Sequence, residues 1–197
     1  MNKKYLKVES FYNSNSQGYA ENSAVILREQ VGYFLSSIPD NGRILDAGCG
    51  PGHDTEFFSR KGFDTTGIDF SVEMIEFCRK HRKGGVFRKM NMLDMGRNFP
   101  RNYFDGIWMS SSITHLEDRD IIKVLKQAKN ILLENGTLAI IIKRKFNNKL
   151  QPREILFRQF YKKEIISLLK LSGFSKIKLT DFEALNKKWL FVLANKA

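Results

Sequence analysis

The sequence predicts a doubly wound α/β sandwich, and three observations carry that prediction. Short apolar runs alternate with helical patterns over most of the chain. The strongest run, residues 138–142, is apolar at every position, as suits a parallel strand covered on both faces. Two strand-like stretches, 176–179 and 189–194, then follow one another with no helix between them, which predicts an antiparallel hairpin at a sheet edge. Repeated β-α units closed by such a pair give a mostly parallel, seven-stranded sheet with helices on both faces.

Taken in order, the first segment stands apart. Residues 1–42 hold a polar stretch, Asn13-Ser14-Asn15-Ser16-Gln17-Gly18, and then a helical pattern over 24–35. This is too short for a second domain, so it packs beside the sheet or lies over its carboxyl edge as a lid. Arg43–Ala47 is an apolar run feeding Gly48, and a helix follows from about 53 to 59. Asp64–Asp69 is the second strand. Ser71 is the expected N-cap of the next helix, whose early acids and later Arg79, Lys80 and Arg82 complement its dipole. A weaker third strand spans 86–91 and a fourth 106–110. The long helix opened by Glu117, Asp118 and Asp120 stops at Asn135-Gly136, before a fifth strand over 137–143. A last helix, 163–171, ends at Ser172-Gly173, a glycine stop.

Composition narrows the function classes. The chain has 197 residues, 42% of them hydrophobic and 27% charged, the balance of an ordinary globular domain. Its two cysteines, Cys49 and Cys78, make neither a disulfide framework nor a zinc site, so no metal is expected. No apolar run is long enough to cross a bilayer and no leader pattern follows the basic start, which predicts a cytoplasmic protein with no membrane partner. The formal charge is +12, and residues 143–197 alone hold 14 basic and 4 acidic side chains. Such an excess marks either a solvated lysine-rich face or a surface for anionic partners.

The chemistry concentrates after the first strand, where ligands of open α/β sheets bind. There the chain reads Asp46-Ala47-Gly48-Cys49-Gly50-Pro51-Gly52-His53-Asp54-Thr55. Three glycines at alternate positions allow a sharp turn and let a ligand approach bare backbone. Asp69, at the end of the second strand, is placed to accept both hydroxyls of a ribose. A dinucleotide site would need its third glycine five positions after the first, but His53 stands there, and no Tyr-x-x-x-Lys pair occurs.

The pattern Asp46-x-Gly48-x-Gly50-x-Gly52 instead resembles the first motif of the class I S-adenosylmethionine-dependent methyltransferases. The resemblance continues through Gly67-Ile68-Asp69-Phe70-Ser71, Phe104-Asp105-Gly106-Ile107-Trp108-Met109-Ser110, Leu133-Glu134-Asn135-Gly136 and Leu171-Ser172-Gly173-Phe174. Phe11-Tyr12 and Tyr19-Ala20 are similar to the lid of small members. It covers the whole chain in order, and implies one Rossmann-like methyltransferase domain over 1–197, with 1–42 as lid and 43–197 as catalytic core. It implies S-adenosyl-L-methionine as cofactor, S-adenosyl-L-homocysteine as product, and a monomer or homodimer. Gly48, Cys49, Gly50 and Gly52 would cradle the methionine portion, and Asp46 would orient its ammonium. Asp69 would hold the ribose and Phe70 would flank the adenine. Asn91 stands where the family usually has an acid for the adenine amino group, followed by Met92 and Leu93. Tyr19 and Ser110 would complete the cofactor site.

Methyl transfer from a sulfonium needs alignment and exclusion of water, and a base only if the acceptor must lose a proton early. His115, just past the fourth strand in Ser110-Ser111-Ser112-Ile113-Thr114-His115, is the candidate base. The alternative is a loop histidine bonded to Glu117 or Asp118. Tyr12 either closes over the site or packs the lid. A small-molecule acceptor is the first reading. Two alternatives stay open: an RNA (tRNA) methyltransferase using Arg144, Lys145 and Arg153 of the basic quarter, and a cofactor-binding protein without catalysis.

Overall fold

All of β1 (Arg43–Ala47) beyond its first residue is buried, so this strand has to be paired on both edges and covered on both faces. A computed structural model, which describes residues 3–14, 28–145 and 158–196, shows how. β1 pairs in parallel with β2 (Asp64–Asp69) on one side and β4 (Phe104–Ser110) on the other. β3 (Val86–Lys89) lies outside β2, and β5 (Leu132–Lys143) lies beyond β4. β7 (Lys187–Asn195) adds to β5 antiparallel, and β6 (Lys176–Ala184) adds to β7 antiparallel at the edge. The order is β3-β2-β1-β4-β5-β7-β6. Strand order reverses between β1 and β4, so their connections leave to opposite sides and open a crevice at the carboxyl ends.

Both faces are covered. On one, α2 (Arg28–Leu35) and α3 (His53–Arg60) set Phe34 and Phe58 against Ile44, Trp108 and Ile141. On the other, α5 (Met95–Asn98), α6 (Asp118–Ile131) and α7 (Lys162–Leu171) bury the larger core around Ile107, Leu125, Ile140 and Leu169. α4 (Val72–His81) starts as its sequence predicts: Ser71 Oγ accepts the Met74 amide at 3.2 Å.

Several boundaries differ from the sequence reading, and β6, for one, runs on to Ala184. The long helix ends at Ile131, four residues before Asn135-Gly136, and β5 begins at once with Leu132. Its last carbonyls are taken by a neighbouring loop: the Asn102 and Tyr103 amides donate to Asn130 and Ile131. Asn135, at φ 63°, lies within β5 at an irregularity in its pairing with β4, so the apparent helix stop is a bulge. β3 stops at Lys89 because Asn91 caps a short 3₁₀ turn, Met92–Asp94, through its side chain. A further difference is α1 (Lys3–Ser14), a helix reaching into the stretch read as polar. Its Val8 and Tyr12 pack on Met74 and Phe70, over the carboxyl ends of β1 and β2. The two readings of residues 1–42 therefore describe different helices: α2 packs on the sheet, and α1 covers its carboxyl edge.

Candidate functional site

The glycine turn is built by backbone bonds to the end of β2. The amides of Gly48 and Cys49 both donate to Ile68 O, at 2.8 and 2.9 Å. Asp69 then uses one carboxylate oxygen for the Gly50 amide and the other for the Ser71 amide, each at 2.9 Å. The Phe70 amide bonds to it as well, and a carboxylate with about four lone-pair sites still has capacity left for a ligand. All three glycines have positive φ, at 85°, 50° and 75°. A side chain at Gly48 would collide with Ser112 and one at Gly52 with Phe87, whereas Gly50 faces open space. Bare backbone is thus presented where a ligand can reach it.

A cavity that opens to solvent lies against this turn. Of the residues expected at the site, Gly48, Asp69, Phe70, Asn91, Met92, Leu93 and His115 line it. Asp46, Cys49, Gly50, Gly52 and Ser110 are not among its lining residues. Tyr19 lies outside the described residues. Tyr5, Val8, Met90, Ser112 and Leu116 line the cavity too and were not expected. The α1 pair had a signal, since Tyr5, Val8 and Tyr12 recur at helical spacing. Ser112 had none beyond its nearness to Ser110.

Charge in the turn is unbalanced. Asp46 is buried and accepts Thr55 Oγ1 at 2.6 Å; burial and the charges of Asp54 and Asp69 hold its carboxyl well above the usual range. Asp54, which accepts Trp108 Nε1 at 2.8 Å, is raised by burial, and so is Asp69. A cation brought to this turn would be welcome. The Cys49 thiol is pushed up by its contact with Cys78 and by burial, which suits a packing residue and not a nucleophile. Arg82 ties the far side together, donating to Pro51 O at 2.6 Å and lying 3.2 Å from His53 Nε2. His53 thus meets Arg82 at the turn's outer side.

On the β4 side, His115 is 7% exposed and its Nε2 lies 3.0 Å from the Tyr12 hydroxyl of α1. Tyr12 also stands edge-on to Phe70, with ring centroids 6.1 Å apart. α1 is pinned at both ends. Tyr5 donates to the Asp120 carboxylate, and burial with that bond pushes Tyr5 up to about 12. Asn13 accepts the Ser71 hydroxyl at 2.8 Å. Asn91 Oδ1 accepts the Leu93 amide at 2.9 Å, which orients the side chain at the cavity wall.

The basic quarter looks different. Asp181 takes both Arg144, at 2.5 Å, and Lys162. Arg158 lies between Asp118 and Glu164, and Lys145 sits over the Tyr161 ring. Arg153 lies outside the described residues. Among the described residues no cluster could hold a metal and no helix is long and apolar enough to cross a membrane.

Residues 44–136 match the model of a family described as a methyltransferase domain. In fold, glycine turn and this match the chain is similar to the class I S-adenosylmethionine-dependent methyltransferases. Among named proteins it is similar to YqeM of Bacillus subtilis, named as a methyltransferase: 29% identical over 110 residues, covering 54% of this chain and 44% of that one. It is also similar to the ubiquinone biosynthesis O-methyltransferase of Actinobacillus pleuropneumoniae, 30% identical over 103 residues, 49% of this chain and 43% of the other. The chain thus spans less than half the length of these relatives. A solved structure, the 1,6-didemethyltoxoflavin-N1-methyltransferase of Burkholderia thailandensis with bound S-adenosylhomocysteine, shares the fold with a TM-score of 0.79. It covers 98% of this chain and 89% of its own at 18% identity. S-adenosylmethionine is the cofactor of the class, and the open face at Gly50 and the acid-lined turn fit a ligand with a cationic end.

Proposed function

We propose that this chain transfers a methyl group from S-adenosylmethionine to a small acceptor whose nucleophile gives up a proton to His115. The observation that carries the reading is one cavity that joins Gly48, Asp69 and His115, from three different connections of the sheet, beneath α1. The cofactor supplies a methyl group on a sulfonium, a leaving group that is already cationic. The protein's share is then placement. The spare lone pairs of Asp69 accept ribose hydroxyls, Phe70 and Met92 flank the adenine, and the Asp46 carboxyl, one layer behind Gly48, favours an ammonium nearby. α1 keeps water out, and the Tyr12 hydroxyl at Nε2 holds the His115 ring in place at the cavity wall. α1 acts as the cover of a catalytic core that begins at Arg43.

A small acceptor is supported by the two relatives named for ubiquinone biosynthesis and didemethyltoxoflavin methylation. Arg144, Lys162 and Arg158 are engaged in ion pairs, which weakens the case for a nucleic-acid surface there. Titration calorimetry with S-adenosylmethionine, S-adenosylhomocysteine and NAD in parallel tests the reading. Binding of the first two and not the third is expected; affinity for NAD alone would overturn it.

A further inference from the structure

We infer that the outer edge of β3 is an RNA-binding surface, where the phosphates of a single strand lie along a basic strip and a base stacks beside it. Residues 1–142 look balanced, with 19 basic and 17 acidic side chains, but residues 79–101 hold eight of those cations and one acid, Asp94. The fold gathers them. β3 is the outermost strand on its side of the sheet. Arg79, in the last turn of α4, donates to Phe87 O of β3 at 3.0 Å. Arg88 lies over the Phe99 ring, 5.8 Å from its centroid, just past the end of α5. The cations of α4, β3 and α5 therefore wrap one edge.

This strip is open, and its charge is not answered. Lys80, Lys83, Arg88, Lys89, Arg97 and Arg101 are exposed, and among the described residues none of the six forms an ion pair; Glu56 takes Arg82. Crowded cations raise the local potential, and a polyanion laid along them releases its condensed counterions. A lipid surface would supply negative charge too, but holding to it takes apolar side chains that sink into the interface. Within 79–101 the one large apolar side chain well exposed is Val86, at 50%.

A second feature points to bases. At the end of α4 the Phe77 and His81 rings stack, with centroids 4.5 Å apart and planes 30° from parallel. The Arg82 guanidinium lies 5.5 Å from the Phe77 centroid. His81 is exposed, which leaves its ring open to a further partner. Stacking on aromatic rings set among cations is how single strands are held without sequence readout, and RNA offers unpaired bases in its loops and ends. The strip also leads to the cavity, since Met90 and Asn91, which follow Lys89, line it. RNA here is an additional ligand, and the small acceptor at His115 stands as before.

Fluorescence anisotropy with a labelled single-stranded RNA of about 16 nucleotides tests the surface. Wild type should bind it, with log affinity falling against log salt by about 0.7 for each phosphate neutralised. Replacing Lys80, Lys83 and Lys89 together by Gln should weaken binding about 10-fold at about 50 mM salt and flatten that slope by about 2. Neutralising Arg144, Lys145 and Arg153 removes the same charge from the last quarter and should leave RNA affinity unchanged. His81→Ala should cost about 5-fold for RNA and nothing for inorganic polyphosphate, which has the charge without the bases. All these side chains in the strip are exposed, so the variants should melt with wild type, which thermal melts check. Wild type that ignores RNA, equal losses in the two triple variants, or His81→Ala without effect would overturn the inference. So would binding to phosphatidylserine vesicles in place of RNA.

Discussion

The turn after β1 and the basic last quarter both stand out in the sequence as polar concentrations, yet the fold treats them in opposite ways. In the turn, Asp46, Asp54 and Asp69 crowd together with carboxyls raised by burial, three residues sit at positive φ, and Ser112 Oγ is unpaired beside them. In the last quarter, some of the basic side chains are held in ion pairs: Asp181 takes Arg144 and Lys162, and Asp118 and Glu164 take Arg158. One region buries polar groups whose needs the chain does not meet by itself, and the other leaves its basic excess to solvent, with a few of its cations paired. Residual imbalance, more than charge count, distinguishes a site from a surface.

That contrast can be broken or sharpened. The largest effect should come from His115→Ala: with an acceptor that must lose a proton, kcat should fall about 10²- to 10⁴-fold while cofactor affinity holds. Steady-state kinetics paired with calorimetry reads both; equal kcat would make His115 a packing residue. Next, Asp69→Ala should weaken S-adenosylmethionine binding by about 1–3 kcal/mol, the range for hydrogen bonds from a charged group. An unchanged dissociation constant would remove Asp69 from the site.

Asp46→Asn should act in two directions. A carboxyl whose folded pKa is raised opposes folding once pH climbs past its unfolded value, so native stability is higher in acid and is lost as pH rises towards the folded pKa. The amide can still accept Thr55 Oγ1, so the variant should melt above wild type, by a margin that widens from about pH 4 towards neutrality. It should also bind S-adenosylmethionine more weakly. Thermal melts across pH that run parallel for the two proteins would show that Asp46 is not the strained group. The smallest effect belongs to the basic quarter. Neutralising Arg144, Lys145 and Arg153 together should leave cofactor affinity alone, and losing the exposed Arg144–Asp181 pair should cost about 0–1 kcal/mol. A large rise in acceptor KM at low salt that fades as salt screens the charges would return this region to the site.

Much of this was legible in the sequence, for local reasons. β1 and β5 are apolar enough to identify themselves, and the spacing of Gly48, Gly50, Gly52 and Asp69 encodes the turn and its acid. The α6–β5 boundary was not, because Asn135-Gly136 has the composition of a helix stop and the true stop is capped by amides of Asn102 and Tyr103. α1 was hidden by its polarity: only one narrow face of it is buried. The Tyr12–His115 contact joins residues 103 apart, and no local pattern announces such a pair. Ser112 became visible only as an absence, a hydroxyl without a partner once every neighbour is in place.

The place of β7 sets a timetable as well as a shape. β5 and β6 precede it in the chain and never pair with each other; each waits for β7 to come between them. Until 187–195 have been made, β5 keeps one bare edge, and a bare apolar edge is a template for another chain. At about 5–20 residues per second, translation leaves it open for roughly 2–10 s. During those seconds the run at 138–142, which gives the finished sheet a firm interior strand, is an adhesive stretch on the nascent chain.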